Sequence, residues 1–409
     1  MKTLASPPEN RLFFLDNLRY VMVICVVIFH TAVGYSALGE FYDEINTHPF
    51  FIDLRNFIEP FQMSVLFFIA GYFALPSLQN KSYGRFIKDK LWRLGLPWLL
   101  GVVFLGPLMP YMGYYTKGFE GLMSPSYWDF WISYIHSGFS QWVIQPHFVT
   151  QPRYHHQHFW FLSVLIQYFL VLTVLHALWR RVRRSPQSTP TPSGTPHFAR
   201  DFILAALVMA LAQLVMPFIH VPGGSIAFFF HFTIWNTLSN GLIFALGIYA
   251  YHRGWFTKDA LPEWRNFMVV AIACILALEA SNFINGTTLP GYLVPLVNDF
   301  ARFLKVMVFL CAFLSLAGHY MNRPSAFNAN ITANSYNLYL LQYPVILACR
   351  LLFFTWDVSA FIKFTLVLGL TLIICHLLSQ YVIRPYPRLA VAGLLLLHAV
   401  LCLFTFSTG

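Results

Sequence analysis

Charged residues are scarce in this chain. Asp, Glu, Lys and Arg make up only 10% of its 409 residues, whereas apolar residues make up 57%. Soluble domains carry about a quarter charged residues, so this composition excludes an ordinary soluble enzyme and indicates a polytopic membrane protein. The first apolar run is too long for a signal peptide and lacks an A-x-A-like cleavage site, and we therefore expect it to be retained.

Cysteine is also rare, and its placement excludes two kinds of site. The six cysteines form no C-x-x-C pair, and all of them fall inside predicted spans: Cys25, Cys274, Cys311, Cys349, Cys375 and Cys402. This pattern supports neither a disulfide framework nor a zinc site. The chain also shows no internal repeat, which argues against the inverted-repeat design of many transporters.

The formal net charge of +10 comes from Lys and Arg residues that cluster in alternate loops. Such alternation follows the positive-inside rule, so it predicts membrane topology rather than a nucleic-acid partner. The connection at 81–93 and the cluster at 180–184 are both strongly basic. We predict that both lie on the cytoplasmic side, which places the N-terminus inside as well.

Long apolar segments predict an all-α transmembrane helix bundle of about ten or eleven spans, forming one domain over 1–409 with a core at about 11–384. The predicted spans lie at about 20–38, 54–78, 92–111, 159–179, 202–218, 227–251, 267–284, 300–320, 331–354 and 361–383, with an eleventh at 389–406. Residues 185–197, rich in Ser, Thr and Pro, are predicted to form a disordered cytoplasmic linker. A short interfacial helix is expected near 127–139.

Two ionisable residues mark the first span. Arg19 lies at its inner edge, eleven positions before His30. Eleven residues make almost three helical turns, so both side chains share one face, roughly 16 Å apart along the helix axis. Ionisable groups inside a span are costly and are candidates for function. Asp16 shares that face approximately, but it lies about 21 Å from His30 and cannot assist it directly, so we expect it to pair with Arg19 or to cap the helix.

His30 has two interpretations. As a general base, it needs a partner that fixes its tautomer and raises its basicity. Glu59 and Gln62 should both reach a similar depth in the second span, because that helix runs in the opposite direction, and of the two we predict a catalytic His30–Glu59 pair. Alternatively, His30 is a structural residue that hydrogen-bonds a neighbouring helix.

Basic residues precede and open the third span, and three of them are candidates for donor binding together with Arg19: Arg85, Lys90 and Arg93. Cytoplasmic loops are basic for topology alone. Arg93 differs because it lies at the mouth of the span, in Leu-Trp-Arg-Leu-Gly-Leu-Pro. We predict that it binds phosphate groups with Arg19 from the cytoplasmic side, a task that suits the planar guanidinium.

The tract His155-His156-Gln-His158 has the residue type of a metal-binding segment. It flanks the start of an aromatic helix and lacks acidic partners. We therefore predict no metal site in this chain.

Five ordered stretches resemble the acyltransferase family 3 membrane proteins. Arg-Leu-Phe-Phe-Leu-Asp-Asn-Leu-Arg19 followed by His30 is similar to the signature of the family's first helix, in which ten residues separate a basic residue from a histidine. The other four stretches are 57–73, 90–97, 158–162 and 335–344. The first three are most similar to the glucan-biosynthesis branch of the family, which is associated with succinylation of periplasmic glucans.

The resemblance implies an O-acyltransferase that moves acetyl or succinyl from cytoplasmic acyl-CoA to a hydroxyl of an extracytoplasmic carbohydrate or glycolipid. It matches His30 to the family's catalytic histidine, Arg19 to its basic partner, and Arg93 to one Arg of its third-helix motif. It implies no cofactor besides the acyl-CoA donor substrate. The location that it implies is the bacterial inner membrane.

Two positions depart from the family pattern. Lys90 stands where an Arg is expected, which keeps the charge but loses the bidentate fork. Gln342 stands where many members have His, which weakens the case for a proton role at that position.

The alternative function is a transporter or flippase of a glycolipid or acyl donor, because polar groups inside spans and broken helices would also serve transport.

Overall fold

The structure, a computed structural model, describes residues 12–36, 46–118, 120, 126–140, 143–144, 154–183, 198–215, 225–226, 234–256, 272 and 294–403. The helices in these ranges are α1 Phe13–Tyr35, α2 Phe50–Gln79, α3 Tyr83–Thr116, α4 Tyr127–Ser140, α5 Trp160–Arg183, α6 Phe198–Val215, α7 Ile234–His252, α8 Val294–Tyr320, α9 Ala326–Phe353, α10 Ala360–Leu378 and α11 Pro387–Leu403. A short strand pair, β1 Val143–Ile144 and β2 Ser225–Ile226, is antiparallel. The predicted all-α helix bundle is confirmed.

Seven helical segments in the described ranges are long and apolar enough to cross a membrane: Phe13–Tyr35, Phe50–Gln79, Tyr83–Thr116, Gln157–Val182, Phe303–Tyr320, Ala326–Phe353 and Ala360–Ile383. Each coincides with a predicted span. Helices α6 and α7 overlap the predicted spans at 202–218 and 227–251, and α11, a shorter apolar helix, overlaps the eleventh. The linker at 185–197 and nearly all of the span predicted at 267–284 lie outside the described residues.

Helix α1 packs against α2, α8, α9 and α10. Its buried side chains recur every three or four residues, as in Leu15, Leu18, Met22 and Val26. This spacing places one stripe of the helix against its neighbours. The segment that carries Arg19 and His30 is therefore surrounded by other helices rather than set at the margin of the bundle.

Helix α9 runs parallel to α1 and contacts it along its length. Near the start of both helices, the Asn17 side-chain amide donates to the Met321 carbonyl at 2.6 Å. Near their ends, the Arg350 guanidinium donates to the Gly34 carbonyl at 2.9 Å. The amide of His48, just before α2 begins, donates to the carbonyl of the last residue of α1, so α2 returns antiparallel to α1.

Three of the prolines inside the helical segments, Pro97, Pro107 and Pro344, each remove the N–H that would normally bond the carbonyl four residues earlier. A side chain from another part of the fold donates to that carbonyl in every case. The three bonds are Tyr336 to Arg93 at 2.7 Å (before Pro97), Trp131 to Val103 at 2.9 Å (before Pro107) and His158 to Leu340 at 3.0 Å (before Pro344). In a bilayer such groups must be satisfied inside the protein, so these prolines fix contacts between distant segments.

The third span departs from a regular α-helix where its prolines predict kinks. Two π-helical segments interrupt α3, at Leu91–Gly95 and Gly101–Leu105. Such segments often occur at functional sites. The first of them contains Arg93, one of the predicted donor-binding residues.

Helices α2 and α7 approach each other at two glycines. A Cβ atom on Gly71 would lie 2.0 Å from the Phe244 carbonyl oxygen, and one on Gly247 would lie 2.2 Å from that of Phe68. Neither site has room for a larger residue. Small residues allow helix backbones to pack closely in membranes, and the two glycines hold α2 against α7 in this way.

Candidate active site

His30 lies near the end of α1, and residues of α9 contact its ring. Its Nδ1 lies 3.1 Å from Oε1 and 2.9 Å from Nε2 of Gln342, whose side chain is completely buried. The Tyr343 ring stacks on the imidazole, with the ring centroids 4.5 Å apart and the planes inclined by 17°. His30 itself keeps partial exposure. The ring is thus held by α9 while part of it stays accessible.

The Gln342 amide decides which nitrogen of His30 is available. An amide can present either its oxygen or its nitrogen to the ring. With the oxygen in place, Nδ1–H donates to Oε1 and Nε2 keeps its lone pair, which is the state that a general base needs. The amide is neutral, so this arrangement does not bury a carboxylate beside the ring. The site can then accept a proton at Nε2 from a nearby hydroxyl.

The predicted pairing of His30 with Glu59 stays a prediction. Gln342 holds the His30 ring, and the Glu59 carboxylate lies 3.8 Å from the Arg55 guanidinium, one turn earlier in α2. The Glu59 side chain is 36% exposed, where solvent lowers the cost of its charge. Two residues at similar depth on antiparallel helices meet only if both faces turn toward each other, and the Arg55 guanidinium beside Glu59 lies 5.9 Å from the centroid of the Phe29 ring.

His158, just before α5, is a second imidazole at this site. Its ring centroid lies 6.3 Å from that of His30 and 5.7 Å from that of Tyr343. Its Nε2 lies 3.0 Å from the Leu340 carbonyl oxygen, and the Tyr339 hydroxyl donates to the His158 carbonyl. Both the ring and the backbone of His158 are therefore held by α9. The end of α1, the start of α5 and the middle of α9 meet at this point.

The remaining histidines of the tract build the turn that presents His158. The amide of Gln157 donates to His155 Nδ1 at 2.9 Å, and the His156 ring packs near Trp98. Burial lowers the pKa of His155. In the part of the chain that the structure describes, no group of three or more His, Cys, Asp or Glu side chains is placed to hold a metal ion.

Arg19 lies at the opposite end of α1 from His30. Its guanidinium is 3.6 Å from the Asp16 carboxylate, and its side chain is 44% exposed. The pairing of Asp16 with Arg19, which follows from their spacing on one helical face, is confirmed. An exposed ion pair of this kind is weak, so Arg19 can exchange this partner for another anion at little cost.

The other predicted donor-binding residues lie together at the start of α3. Arg85 and Arg93 are exposed. The Lys90 ammonium lies over the rings of Phe86 and Phe169, 5.2 Å and 3.9 Å from their centroids. Arg93 is close enough to Lys90 to act on it electrostatically. This part of α3 therefore presents a cluster of positive charge in which Lys90 makes cation–π contacts with two phenylalanine rings.

The α3 cluster and Arg19 belong to the same end of the bundle, because the first half of α9 contacts both helices. The Tyr336 hydroxyl donates to the Arg93 carbonyl, and the Tyr20 hydroxyl donates to the Asn328 side chain. The structure thus places Arg19, Arg85, Lys90 and Arg93 at one end, and His30 further into the bundle.

A buried polar network at that end has no counterpart in the sequence-based predictions. Asn334 is 2% exposed, accepts a hydrogen bond from Ser379 at 2.7 Å and donates to Gln380 at 2.9 Å. Arg384 donates to Gln380 at 3.0 Å. Helix α10 continues here as a π-helical turn over Ser379–Ile383. The network therefore fixes Arg384 near the end of α9 that also contacts the α3 cluster.

The fold and the site define a class of protein: an integral membrane protein with a hydrogen-bonded histidine inside its helix bundle and a group of cations at one end of that bundle. Comparison with known families agrees with this class. Residues 12–380 match the family described as Acyltransferase domain. The chain belongs to this family, which confirms the resemblance to acyltransferase family 3, and its class is that of the membrane O-acyltransferases.

Curated relatives are named Glucans biosynthesis protein C and include those of Salmonella paratyphi A, Salmonella agona (strain SL483) and Salmonella paratyphi B (strain ATCC BAA-1250 / SPB7). Each is 22% identical to this chain over 249 residues, which cover 61% of this chain and 60% of the relative. The match thus spans about three fifths of the length of these relatives. No solved structure matches this chain.

Proposed function

We propose that this chain transfers a small acyl group, acetyl or succinyl, from acyl-CoA to a hydroxyl of a carbohydrate or glycolipid, with His30 as the general base. The observation that carries the proposal is the contact between His30 Nδ1 and the buried Gln342 amide. This contact orients the ring and leaves Nε2 for proton transfer. Membership of the acyltransferase family supports the acyl-transfer chemistry.

The reaction needs one base that is regenerated in each turnover. His30 Nε2 accepts the hydroxyl proton while the hydroxyl oxygen attacks the carbonyl carbon of the thioester. The new C–O ester bond forms, the C–S bond breaks, and the CoA thiolate takes the proton back from His30. The scheme uses acyl-CoA as donor substrate and calls for no further cofactor or metal.

The donor is proposed to enter at the end of the bundle that carries the cations. The CoA phosphates bind Arg19, Arg85, Lys90 and Arg93, since guanidinium and ammonium groups suit phosphate oxygens. The thioester then reaches His30, about 16 Å further along α1 by helix rise. The separation between the two ends matches a long donor whose charged and reactive groups are far apart.

The positive-inside pattern supports a cytoplasmic N-terminus, and the start of α1 then faces the cytoplasm. Acyl-CoA would enter from that side, and the acceptor would reach His30 from the other. The bacterial relatives support a bacterial inner-membrane location. Their name supports a carbohydrate acceptor, so a glucan is the first acceptor to test.

The test uses the purified protein in proteoliposomes, with acetyl-CoA or succinyl-CoA on one face and a glucose oligosaccharide on the other. We expect free CoA to be released only when the oligosaccharide is present, together with an acylated sugar detected by mass spectrometry. Movement of intact donor or sugar across the membrane with no release of CoA would instead support the transporter alternative.

The base is tested by His30→Ala. Loss of a general base lowers turnover by roughly 100- to 10,000-fold, and we expect a loss in this range with the unfolding temperature little changed. His319→Ala is the matched control, because His319 is exposed at the end of α8. Turnover of His30→Ala close to that of the control would overturn the proposal.

A further inference from the structure

His158 occupies the site without a part in the proposed proton transfer. It is 3% exposed, and its ring lies beside those of His30 and Tyr343. An imidazole this deeply buried normally has both nitrogens engaged. The state of its two nitrogens therefore indicates what the site is built to receive, and the inference below rests on the proposed acyl transfer.

The proline in α9 fixes the tautomer of His158. Pro344 has no N–H to offer the Leu340 carbonyl, and His158 Nε2 lies 3.0 Å from that oxygen. A carbonyl oxygen can only accept, so Nε2 must carry the hydrogen. In the neutral ring, Nδ1 then carries a lone pair and can only accept.

That lone pair has no partner in the described part of the protein. His158 Nδ1 is buried and makes no hydrogen bond, while its backbone and its other nitrogen are both anchored to α9. The ring cannot turn to relieve Nδ1 without breaking the bond to Leu340. A ligand that supplies a donor hydrogen would satisfy this nitrogen.

The amide N–H groups of acyl-CoA lie along its pantetheine arm, several bonds away from the thioester carbonyl, so at the reacting centre the acceptor is the better source of this hydrogen. A thioester carbonyl is an acceptor and offers nothing to a lone pair, whereas a hydroxyl can donate. The attacking hydroxyl gives its hydrogen to His30 Nε2 in the proposed reaction. A second hydroxyl on the same molecule can reach His158, because the ring centroids of the two histidines are only 6.3 Å apart. Carbohydrates carry neighbouring hydroxyls at this scale.

We propose that His158 is an acceptor-binding residue, whose Nδ1 accepts a hydrogen bond from a second hydroxyl of the carbohydrate while His30 activates the first. The two imidazoles, each held by α9 through one nitrogen, together select an acceptor with adjacent hydroxyls. Gln342 and Leu340 provide the two anchors.

Two amide variants separate this role from a purely structural one. In His158→Gln, the side-chain amide can reach the Leu340 carbonyl in place of Nε2, but nothing replaces Nδ1. In His158→Asn, an amide stands near the position of Nδ1, but the bond to Leu340 is lost. The assay uses acetyl-CoA with methyl glucoside and its monodeoxy analogues as acceptors, and it also measures hydrolysis of acetyl-CoA without acceptor.

We expect His158→Gln to lower kcat/KM for methyl glucoside by roughly 10- to 100-fold, the effect of one lost hydrogen bond in a buried site. The KM for acetyl-CoA and the acceptor-independent hydrolysis should stay within about twofold of wild type. One deoxy analogue should be a poor acceptor for the wild type and should lose no further activity in His158→Gln. His158→Asn should keep part of the discrimination between the analogues.

Wild-type activity in His158→Gln together with loss in His158→Asn would show that only the Leu340 bond matters, and it would overturn the inference. If both variants fail to fold, the wild type decides by itself: equal kcat/KM for all monodeoxy analogues would also overturn it. Failure of the wild type to transfer acetyl to any acceptor would overturn the proposed function, so the two failures are distinguishable.

Discussion

The two ends of α1 differ in solvent exposure and in how their polar groups are stabilised. At the Arg19 end, the charge remains 44% exposed beside Asp16. At the His30 end, the partner of the imidazole is the buried, neutral amide of Gln342, which α9 supplies. Exposed ion pairs contribute at most about 1 kcal/mol, whereas a buried polar group left without a partner costs about 1–3 kcal/mol. Substitutions at the His30 end should therefore change the chemical step, and those at the Arg19 end should change donor binding.

After His30→Ala itself, the largest effect in this comparison is expected for Gln342→Leu, which has a similar volume but removes the partner of His30 Nδ1. We expect kcat to fall by roughly 10- to 100-fold, since the ring loses the contact that fixes its orientation and tautomer. The KM for acyl-CoA should change by less than about twofold. Steady-state kinetics with each substrate varied in turn would measure both values.

The matched control for this variant is Gln62→Leu, because Gln62 is also a buried glutamine inside a span, 4% exposed in α2. A control as impaired as Gln342→Leu would show that any buried amide matters equally. Normal kcat in Gln342→Leu would remove the physical basis of the His30 assignment.

An intermediate effect is expected at the other end of α1 and its neighbours. Arg93→Ala should raise the KM for acyl-CoA by roughly tenfold and leave kcat within about twofold, because one charge-assisted hydrogen bond to phosphate is lost. The difference from wild type should shrink as the salt concentration rises, since the site is exposed and screened. Arg93→Lys should fall between the two.

Arg388→Ala serves as the control for donor binding, because Arg388 is an exposed basic residue of α11 outside the α3 cluster. An equal rise in KM for this variant would attribute the effect to general surface charge. A fall in kcat with unchanged KM in Arg93→Ala would contradict the assignment of donor binding to the Arg19 end and of the chemical step to the His30 end.

The smallest effect is expected for Glu59→Gln. The carboxylate is partly exposed and paired with Arg55, so its loss should change the free energy of unfolding by less than about 1 kcal/mol and kcat/KM by less than about twofold. Both quantities, and the pH dependence of turnover, are to be compared with wild type. A shifted pH profile would show that Glu59 does act on the base.

Much of the architecture could be predicted, because it depends on local patterns. Apolar run length indicated the spans, since a bilayer demands about 20 apolar residues per crossing helix. Helical spacing predicted that Asp16 and Arg19 form a pair on one face, and they do. Both inferences concern residues close together in the chain, where helix geometry alone sets the distance.

The partner of His30 could not be predicted by the same means. Depth in the bilayer selected Glu59, but depth leaves the rotation of α2 undetermined. Gln342 is 312 positions away from His30, and only the parallel packing of α9 on α1 brings them together. The sequence did contain a signal, because 335–344 resembles a family motif, but a motif match does not state which residue touches which.

For His158, too, some features are visible in the sequence and others depend on how the helices pack. Its residue type and its place in a family-like stretch are visible in the sequence, and so is Pro344. What no local pattern shows is that the carbonyl freed by Pro344 receives the hydrogen bond of His158. That outcome depends on where α5 begins relative to α9 in space.

The sequence by itself determined that this protein is a membrane helix bundle with Arg19 and His30 on one face of its first helix. Hydrophobic length and helical periodicity are properties of single segments, and they fix these features before any packing occurs. Only the tertiary structure decided that Gln342, Tyr343 and His158 surround His30 while Glu59 turns to Arg55. Those contacts depend on the rotation and register of helices against one another, which close packing sets and local sequence does not.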